Sequence, residues 1–467
     1  MSLGIAAVGA YAPDLRVSAD EFAEAWGSFE ASGIEEKAVP DADEDALTMA
    51  VEAANRTLDA GEVGAAALDG IFLASTTPPL AEEETVTRLA TILGASDDAT
   101  LQQFGASTRA GTRALFAALD ADAGPTLVVA SDCPKGSPET AQEHAAGAGA
   151  VAFLLDDSGA ATITDRAEFA VSYPGTRFRE QGSEDVESID ITPYERAAFS
   201  EALAGAVDQV EAGDVDAAAV QSPDGKLPYR ATGAVGVDAE TIHTCATVQD
   251  IGDTGAASVP LSVATALADG ADRILGAAYG SGAGADALVV EGGDVPTDLA
   301  LEGDTDLSYG EYLRRRGDVT GDGPNGGAAY VSVPTWKRSM PQRHRLIAGR
   351  CPECGALAFP PEGACPDCLE LVEYEPVRLP SSGTVEAATS IGRGGAPPEF
   401  AVQQQQNGAF GVVIAAFEAD GDEVSMPLQV AGDPDLAVGD TVETVVRRIY
   451  TQEGVTRYGR KAVPGND

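Results

Sequence analysis

Between residues 351 and 368 the chain reads CPECGALAFPPEGACPDC, and no other stretch restricts the fold so tightly. The spacing is C-x2-C-x10-C-x2-C, so each short turn offers two thiolates to one ion. Four such sulfurs can surround Zn²⁺ as a tetrahedron with no open position, the arrangement of a structural rather than a catalytic site. Cys351, Cys354, Cys365 and Cys368 are therefore expected to bind one structural zinc and to staple a segment too short to own a core. Four unliganded thiols are the competing reading, and it leaves the matched spacing without a reason. The other two cysteines, Cys133 and Cys245, stand alone, and the grouping favours metal over disulfides in a reducing compartment.

Charge excludes several partners. Lys and Arg total 29 against 75 Asp and Glu, a net charge of −46 spread along the chain. Such a surface repels phosphate and anionic lipid, and in ordinary salt it strains the compact state. In molar salt the Debye length falls to about 3 Å and the repulsion is screened. The expectation is a cytoplasmic protein of an organism with salty cytoplasm, because the acids are not clustered into one binding surface. The N-terminus lacks a basic stretch and a cleavage site, and no apolar run reaches the roughly 18 residues of a membrane span. Neither membrane nor nucleic acid is expected as a partner, the latter also because few aromatic residues accompany the basic residues of the last domain.

A length of 467 residues predicts two or three domains. Up to residue 294 short apolar strands alternate with Ala-rich helical stretches, an α/β pattern. Strands are predicted at 68–76, 125–132, 150–157, 215–222, 273–280 and 285–292; their apolar runs are continuous, as in strands covered on both faces. GTRALFAALDADAGPTLVVASD followed by AAGAGAVAFLLDD has the order helix, strand, small-residue turn, strand. ASVPLSVATALADGADRILGAAYG followed by SGAGADALVVEG has the same order, so two similar α/β halves are expected. Residues 295–344 read as a linker with a basic helical segment, LSYGEYLRRRGD, and a Gly/Pro/Asn-rich stretch at 321–328. A second basic patch, WKRSMPQRHRLIAGR, starts at 336; the two patches point either to an acidic partner surface or to the chain's own carboxylates. A zinc ribbon is expected at 345–374 and a small all-β barrel at 375–467.

GASTRAGTRAL, residues 105–115, has the turn and first helical residues of an enzyme that carries its nucleophile at a helix start, yet Thr108 stands where a cysteine would act. With VGAYAPDLRVSADEFAEAWG, EKAVPDADEDALTMAVEAA, SDCPKGSPETAQEHAAGAGAVAF, PDGKLPYR, IGDTGAASVPLSVATAL and YGSGAGADA, the first 294 residues resemble the archaeal hydroxymethylglutaryl-CoA synthases, thiolase-fold enzymes. The remainder resembles the zinc-ribbon and OB-fold proteins that accompany acyl-CoA-condensing enzymes. The resemblance implies a thiolase-like fold of two α/β halves, then a zinc ribbon and an OB-fold barrel. It also puts the family's acylated cysteine at Thr108, its general acid/base glutamate at Thr76, its histidine at Gln221 and its asparagine at Asp253. Lys226 and Arg230 match positions that contact CoA, and a salt bridge to nearby acids is their alternative use.

A threonine hydroxyl needs an adjacent base to act as a nucleophile, and neither Thr76 nor Gln221 accepts a proton. Among other residues, Cys133 reads as structural, His144 as a packing or helix-end residue, and Cys245 with His243 as a pair without a carboxylate partner. The resemblance, with these substitutions, implies an acyl-CoA-binding, catalytically silent subunit that scaffolds a thiolase-type condensing enzyme. It would form a homodimer, or a heterodimer with an intact paralogue, and the ribbon module would dock the partner through EYLRRRGD and WKRSMPQRHR. Two alternatives stay open: a working acyl-CoA-condensing transferase using Cys133 or an activated Thr108, and a nucleic-acid-binding ribbon.

Overall fold

The structure, a computed structural model, describes residues 3–121, 123–282, 284–320, 332–392, 400–432 and 435–465. The stretch 321–328, expected as a flexible linker, lies outside them. Two compact units emerge, Met1–Pro40 with Asp45–Tyr312, and Asp41–Glu44 with Leu313–Asp467.

The first unit rests on two sheets. One runs β12-β1-β7-β6-β4-β5, from β1 (Gly4–Tyr11), β4 (Gly70–Ala74), β5 (Thr100–Phe104), β6 (Thr126–Asp132), β7 (Gly149–Asp156) and β12 (Thr297–Ala300). The other runs β8-β11-β10-β9, from β8 (Thr162–Phe169), β9 (Ala217–Val220), β10 (Arg273–Gly280) and β11 (Gly284–Glu291). In the first sheet β1 and β6 pair antiparallel with β7, and β4 pairs parallel with β6. In the second, β8 and β10 pair antiparallel with β11, and β9 pairs parallel with β10. The two sheets therefore repeat one topology, as the internal echo in the sequence predicts. A small sheet of β2 (Leu15–Ser18), β3 (Glu36–Val39) and β13 (Thr305–Asp306) completes the strands of this unit.

All six predicted strands form here. β6, TLVVASD, is buried at every residue, consistent with helices on both faces. The helices Ala110–Ala121 and Ser258–Ala268 lie between the sheets and touch each other, while Ala46–Ala60 covers one outer face and Thr192–Val207 the other. The central layer is thus the main core, with Leu115, Phe116, Val259, Leu261, Phe153 and Val290 in one cluster. β8 escapes the apolar-run criterion because TITDRAEF is a half-exposed edge strand rich in polar residues.

In the second unit β14 (Ile347–Arg350), β15 (Leu357–Ala358) and β16 (Glu375–Arg378) frame the cysteine turns. The last five strands, β17 (Gly383–Ile391), β18 (Phe410–Ala419), β19 (Asp422–Gln429), β20 (Thr441–Gln452) and β21 (Val455–Pro464), pair antiparallel in the order β19-β18-β17-β20-β21. A bridge between Val430 and Ala462 nearly closes them into a barrel. Leu346, Ala348, Leu357 and Leu379 of the ribbon share one core with Val385, Phe417, Met426 and Val442 of the barrel.

Two histidines are held neutral inside the fold. His144 Nδ1 accepts the Glu30 amide at 2.9 Å and its ring stacks on Phe29 at 5.2 Å. Burial, helped by the Lys37 charge, lowers its pKa from 6.5 to about 4, and burial does the same to His344. Unfolded chains bind more protons than folded ones between these values, so each histidine contributes stability above pH 6.5 that is lost as pH falls toward 4. Denaturant titrations of wild type and His144→Asn are expected to diverge over that window, the variant losing less stability on acidification.

Candidate functional site

The register of β4 on β6 pairs Ala74 with Ala130, and carried two residues further it sets Thr76 beside Asp132. Asp132 ends an apolar strand and is fully buried, so its carboxylate must be satisfied by the protein. Oδ1 accepts the Ser75 hydroxyl at 3.0 Å, the Thr76 amide at 2.6 Å and the amide and hydroxyl of Thr77, each at 2.9 Å. Oδ2 accepts the Thr76 hydroxyl at 2.8 Å and the Ala256 amide at 2.7 Å. Sequence reasoning does not single out this carboxylate. Its signal is an acid at the end of one apolar strand and a Ser-Thr-Thr run at the end of its neighbour.

Residues 255–257 form the turn before the central helix Ser258–Ala268 and are the hub of the site. Gly255 has φ +54°, and a Cβ there would stand 2.3 Å from Asp132 Oδ2. Gln221, at the end of β9, donates from Nε2 to the Gly255 carbonyl at 3.0 Å, while among the described residues its buried Oε1 has no hydrogen-bond partner. Gly111, three residues past Thr108, packs against the Ala256 carbonyl, which a Cβ would approach to 2.3 Å. The turn therefore links the elements that carry Thr76, Thr108 and Gln221.

The chemistry left there is limited. Thr108 is buried at the start of its helix and donates to the Tyr279 carbonyl at 2.6 Å, so its hydroxyl proton points at a backbone oxygen, not at a base. Asp253 accepts the Gly255 amide at 2.9 Å and pairs with Arg177. Arg177 belongs to a loop that crosses the site: Thr176 bonds the Tyr279 hydroxyl at 2.8 Å, and Arg179 donates to the Thr76 carbonyl. Sequence reasoning misses Arg177 because the loop has neither periodicity nor a motif. Beside Thr108, Arg109 donates to the buried Asp286 at 3.0 Å and to Glu168 at 3.0 Å. Burial raises the Asp286 carboxyl pKa, against the opposing effect of Arg109.

The substitutes considered from sequence fare no better. The Cys133 Sγ lies 3.8 Å from Thr77 Oγ1, and burial pushes its thiol up to about 12, which leaves negligible thiolate at neutral pH. Burial also pushes Cys245 up to about 12, and His243 faces the Tyr229 hydroxyl at 3.4 Å. Lys226 and Arg230 are exposed, and among the described residues neither makes an ion pair. Asp132→Asn replaces an oxygen that accepts protein donors with an NH₂ that meets them. The expected loss is about 2–4 kcal/mol in chemical denaturation, the usual scale for a broken buried charged network.

At the ribbon the four cysteine sulfurs lie within 4.8 Å of one another. Cys351 and Cys368 are 3.8 Å apart and Cys354 and Cys365 are 3.6 Å apart. Sulfurs 2.3 Å from a tetrahedral zinc are about 3.8 Å apart, so the donor set fits that ion. The basic segments turn to the chain's own acids: Arg315 pairs with Asp41 at 2.7 Å, Arg316 with Asp318 at 2.9 Å, and Arg350 with Asp420 at 3.3 Å. The expectation of few aromatics near the barrel's basic residues needs correction. The guanidinium groups of Arg343 and Arg457 lie over the Trp336 ring, 4.4 Å and 5.2 Å from its centre, with Tyr450 meeting it edge-on. Trp336 itself is buried and offers no open stacking face.

Residues 338–372 match the family model described as ChsH2, rubredoxin-like zinc ribbon domain. A hydroxymethylglutaryl-CoA synthase of Methanosarcina mazei is 31% identical over 350 residues, 68% of this chain and 99% of that protein. Among solved structures, an HMG-CoA synthase complexed with CoA matches with a TM-score of 0.61 at 20% identity, over 71% of this chain and 94% of that one. The 3-oxoacyl-[acyl-carrier-protein] synthase III of Aquifex aeolicus matches with a TM-score of 0.55 at 18% identity, over 62% and 99%. The fold is thiolase-like, with a zinc ribbon and an OB-type barrel after it.

Proposed function

This chain belongs to the hydroxymethylglutaryl-CoA synthase family, and from that premise we propose that it is an acyl-CoA-binding member without condensing chemistry, serving to scaffold or assist an active acyl-CoA-condensing enzyme. One observation carries the reading: the hydroxyl in the nucleophile's position, Thr108, donates to the Tyr279 carbonyl, and among the described residues no carboxylate or imidazole accepts its proton. Gln221 is tied to a backbone carbonyl and Thr76 to a carboxylate whose oxygens already accept six protein donors. Binding residues fare differently, since exposed Lys226 and Arg230 remain available for the phosphates of CoA. The cysteine cluster is assigned a structural zinc. β5 ends its sheet with Thr100, Gln102 and Gln103 exposed, an open edge suited to pairing with a second copy or a paralogue.

The full chain, purified in molar KCl from its native cell, is expected to retain a thiolase-superfamily enzyme identifiable by mass spectrometry. It is also expected to bind CoA in a calorimetric titration, and Lys226→Met with Arg230→Met should weaken that binding at least tenfold, about 1.4 kcal/mol. A chain that purifies alone and binds no CoA sinks the reading.

A further inference from the structure

Gln221 is 2% exposed, yet only one end of its amide is satisfied by the protein. Nε2 donates to the Gly255 carbonyl at 3.0 Å, and among the described residues Oε1 has no hydrogen-bond partner. That single bond fixes the orientation of the amide. A carbonyl oxygen accepts and cannot donate, so the NH₂ end must face Gly255 and the oxygen is the end left over. A buried acceptor without a donor is costly, and a fold that keeps one holds it for a water or for a ligand.

The site's own donors are committed elsewhere. The hydroxyls of Ser75, Thr76 and Thr77 go to Asp132, that of Thr108 to the Tyr279 carbonyl and that of Ser222 to the Val220 carbonyl. The Gly255 amide goes to Asp253 and the Ala256 amide to Asp132. Asp132 closes β6 and Gln221 follows β9, and both bond the 255–257 turn. The unpaired oxygen therefore stands beyond the carboxyl end of its strand, the side on which open α/β sheets bind their ligands.

We propose that Gln221 Oε1 sets the acyl specificity of this site: it accepts a hydrogen bond from a hydroxyl on the bound acyl group, so that the chain takes hydroxyacyl thioesters in preference to oxoacyl ones. The proposal rests on the acyl-CoA-binding reading above and names the acyl class. A hydroxyl brings the missing proton, whereas an oxo group has only lone pairs to offer. Binding an oxo group through the second N–H of Nε2 would still leave Oε1 unpaired. Sites built to hydrogen-bond a hydroxyl reject analogues that lack it far more strongly than apolar pockets reject an extra methylene. A glutamine suits that choice because it presents its acceptor at every pH, while an imidazole changes roles with tautomer and charge.

The test titrates the full chain in molar KCl, by calorimetry, with free CoA and three thioesters that differ at one carbon: 3-hydroxybutyryl-CoA, acetoacetyl-CoA and butyryl-CoA. The better enantiomer of 3-hydroxybutyryl-CoA is expected to bind about tenfold or more tightly than either of the others. Gln221→Met keeps the length of the side chain and removes its acceptor, and it is expected to bring the three esters within about twofold of one another. That variant also unpairs the Gly255 carbonyl, so its melting temperature checks folding, and if it does not fold the wild-type ratios decide alone. Equal affinities for the hydroxy and oxo esters mean that water fills the acceptor and overturn the proposal. A preference for acetoacetyl-CoA overturns it too, as does a hydroxyl preference that survives Gln221→Met. Binding of free CoA without discrimination among the esters sinks the role of Gln221 alone, whereas no binding of CoA or of any ester sinks the acyl-CoA-binding reading with it.

Discussion

Chelating the metal is expected to abolish the thermal transition of the ribbon and barrel while the two-sheet unit melts within a few degrees of its normal temperature. Cys351 and Cys365 are buried, and without an ion their sulfurs are left with only weak thiol contacts. Structural zinc contributes on the order of 10 kcal/mol to small ribbons, far more than a short segment recovers from its own packing. Leu346, Ala348, Leu357 and Leu379 pack in the same cluster as the barrel residues Val385, Phe417 and Met426, so loss of the ribbon exposes one side of the barrel core. Cys365→Ser should reproduce the effect, with one equivalent of zinc missing by elemental analysis. A metal-free wild type that melts like the untreated protein would rule out zinc as the structural element.

Labelled acetyl-CoA is expected to leave no covalent adduct on the wild-type chain, whereas Thr108→Cys should trap an acyl-thioester. The helix that starts at Ala110 supplies a positive end beside position 108, which favours a thiolate but does little for a hydroxyl of far higher pKa. The trapped acyl group should not go on to condense, because Thr76 and Gln221 cannot move protons. Adding Thr76→Glu and Gln221→His is expected to raise condensation by ~10²–10⁴-fold, the usual contribution of positioned acid/base groups. Mass spectrometry of the intact chain reads both stages. An adduct on wild type at any residue would overturn the silent reading and revive the transferase alternative.

Much of the fold was legible because burial on two faces forces continuous apolar runs, and each run predicted in the first unit became a strand. The doubled topology was visible as a repeated order of helix, strand, turn and strand. The zinc cluster was legible for a different reason, since its spacing is dictated by the ion. β8 was hidden by its edge position, where polar residues cost nothing. Asp132 and Arg177 were hidden because their roles depend on neighbours distant in sequence, Thr76 by 56 positions and Asp253 by 76. Only the parallel register of β4 and β6 turns the first of those separations into a hydrogen bond.

The bonds around Asp132 join binding-site positions to the framework of the fold. Strand ends, the 255–257 turn and two threonines are cross-linked there by one buried carboxylate. Thr76 and Gln221, at the positions of the family's glutamate and histidine, are themselves among the donors that tie this framework together, so side chains proposed to have given up proton transfer now serve as cross-links. Restoring an acidic side chain at position 76 would therefore break a bond of the framework as well as return a proton-transfer group.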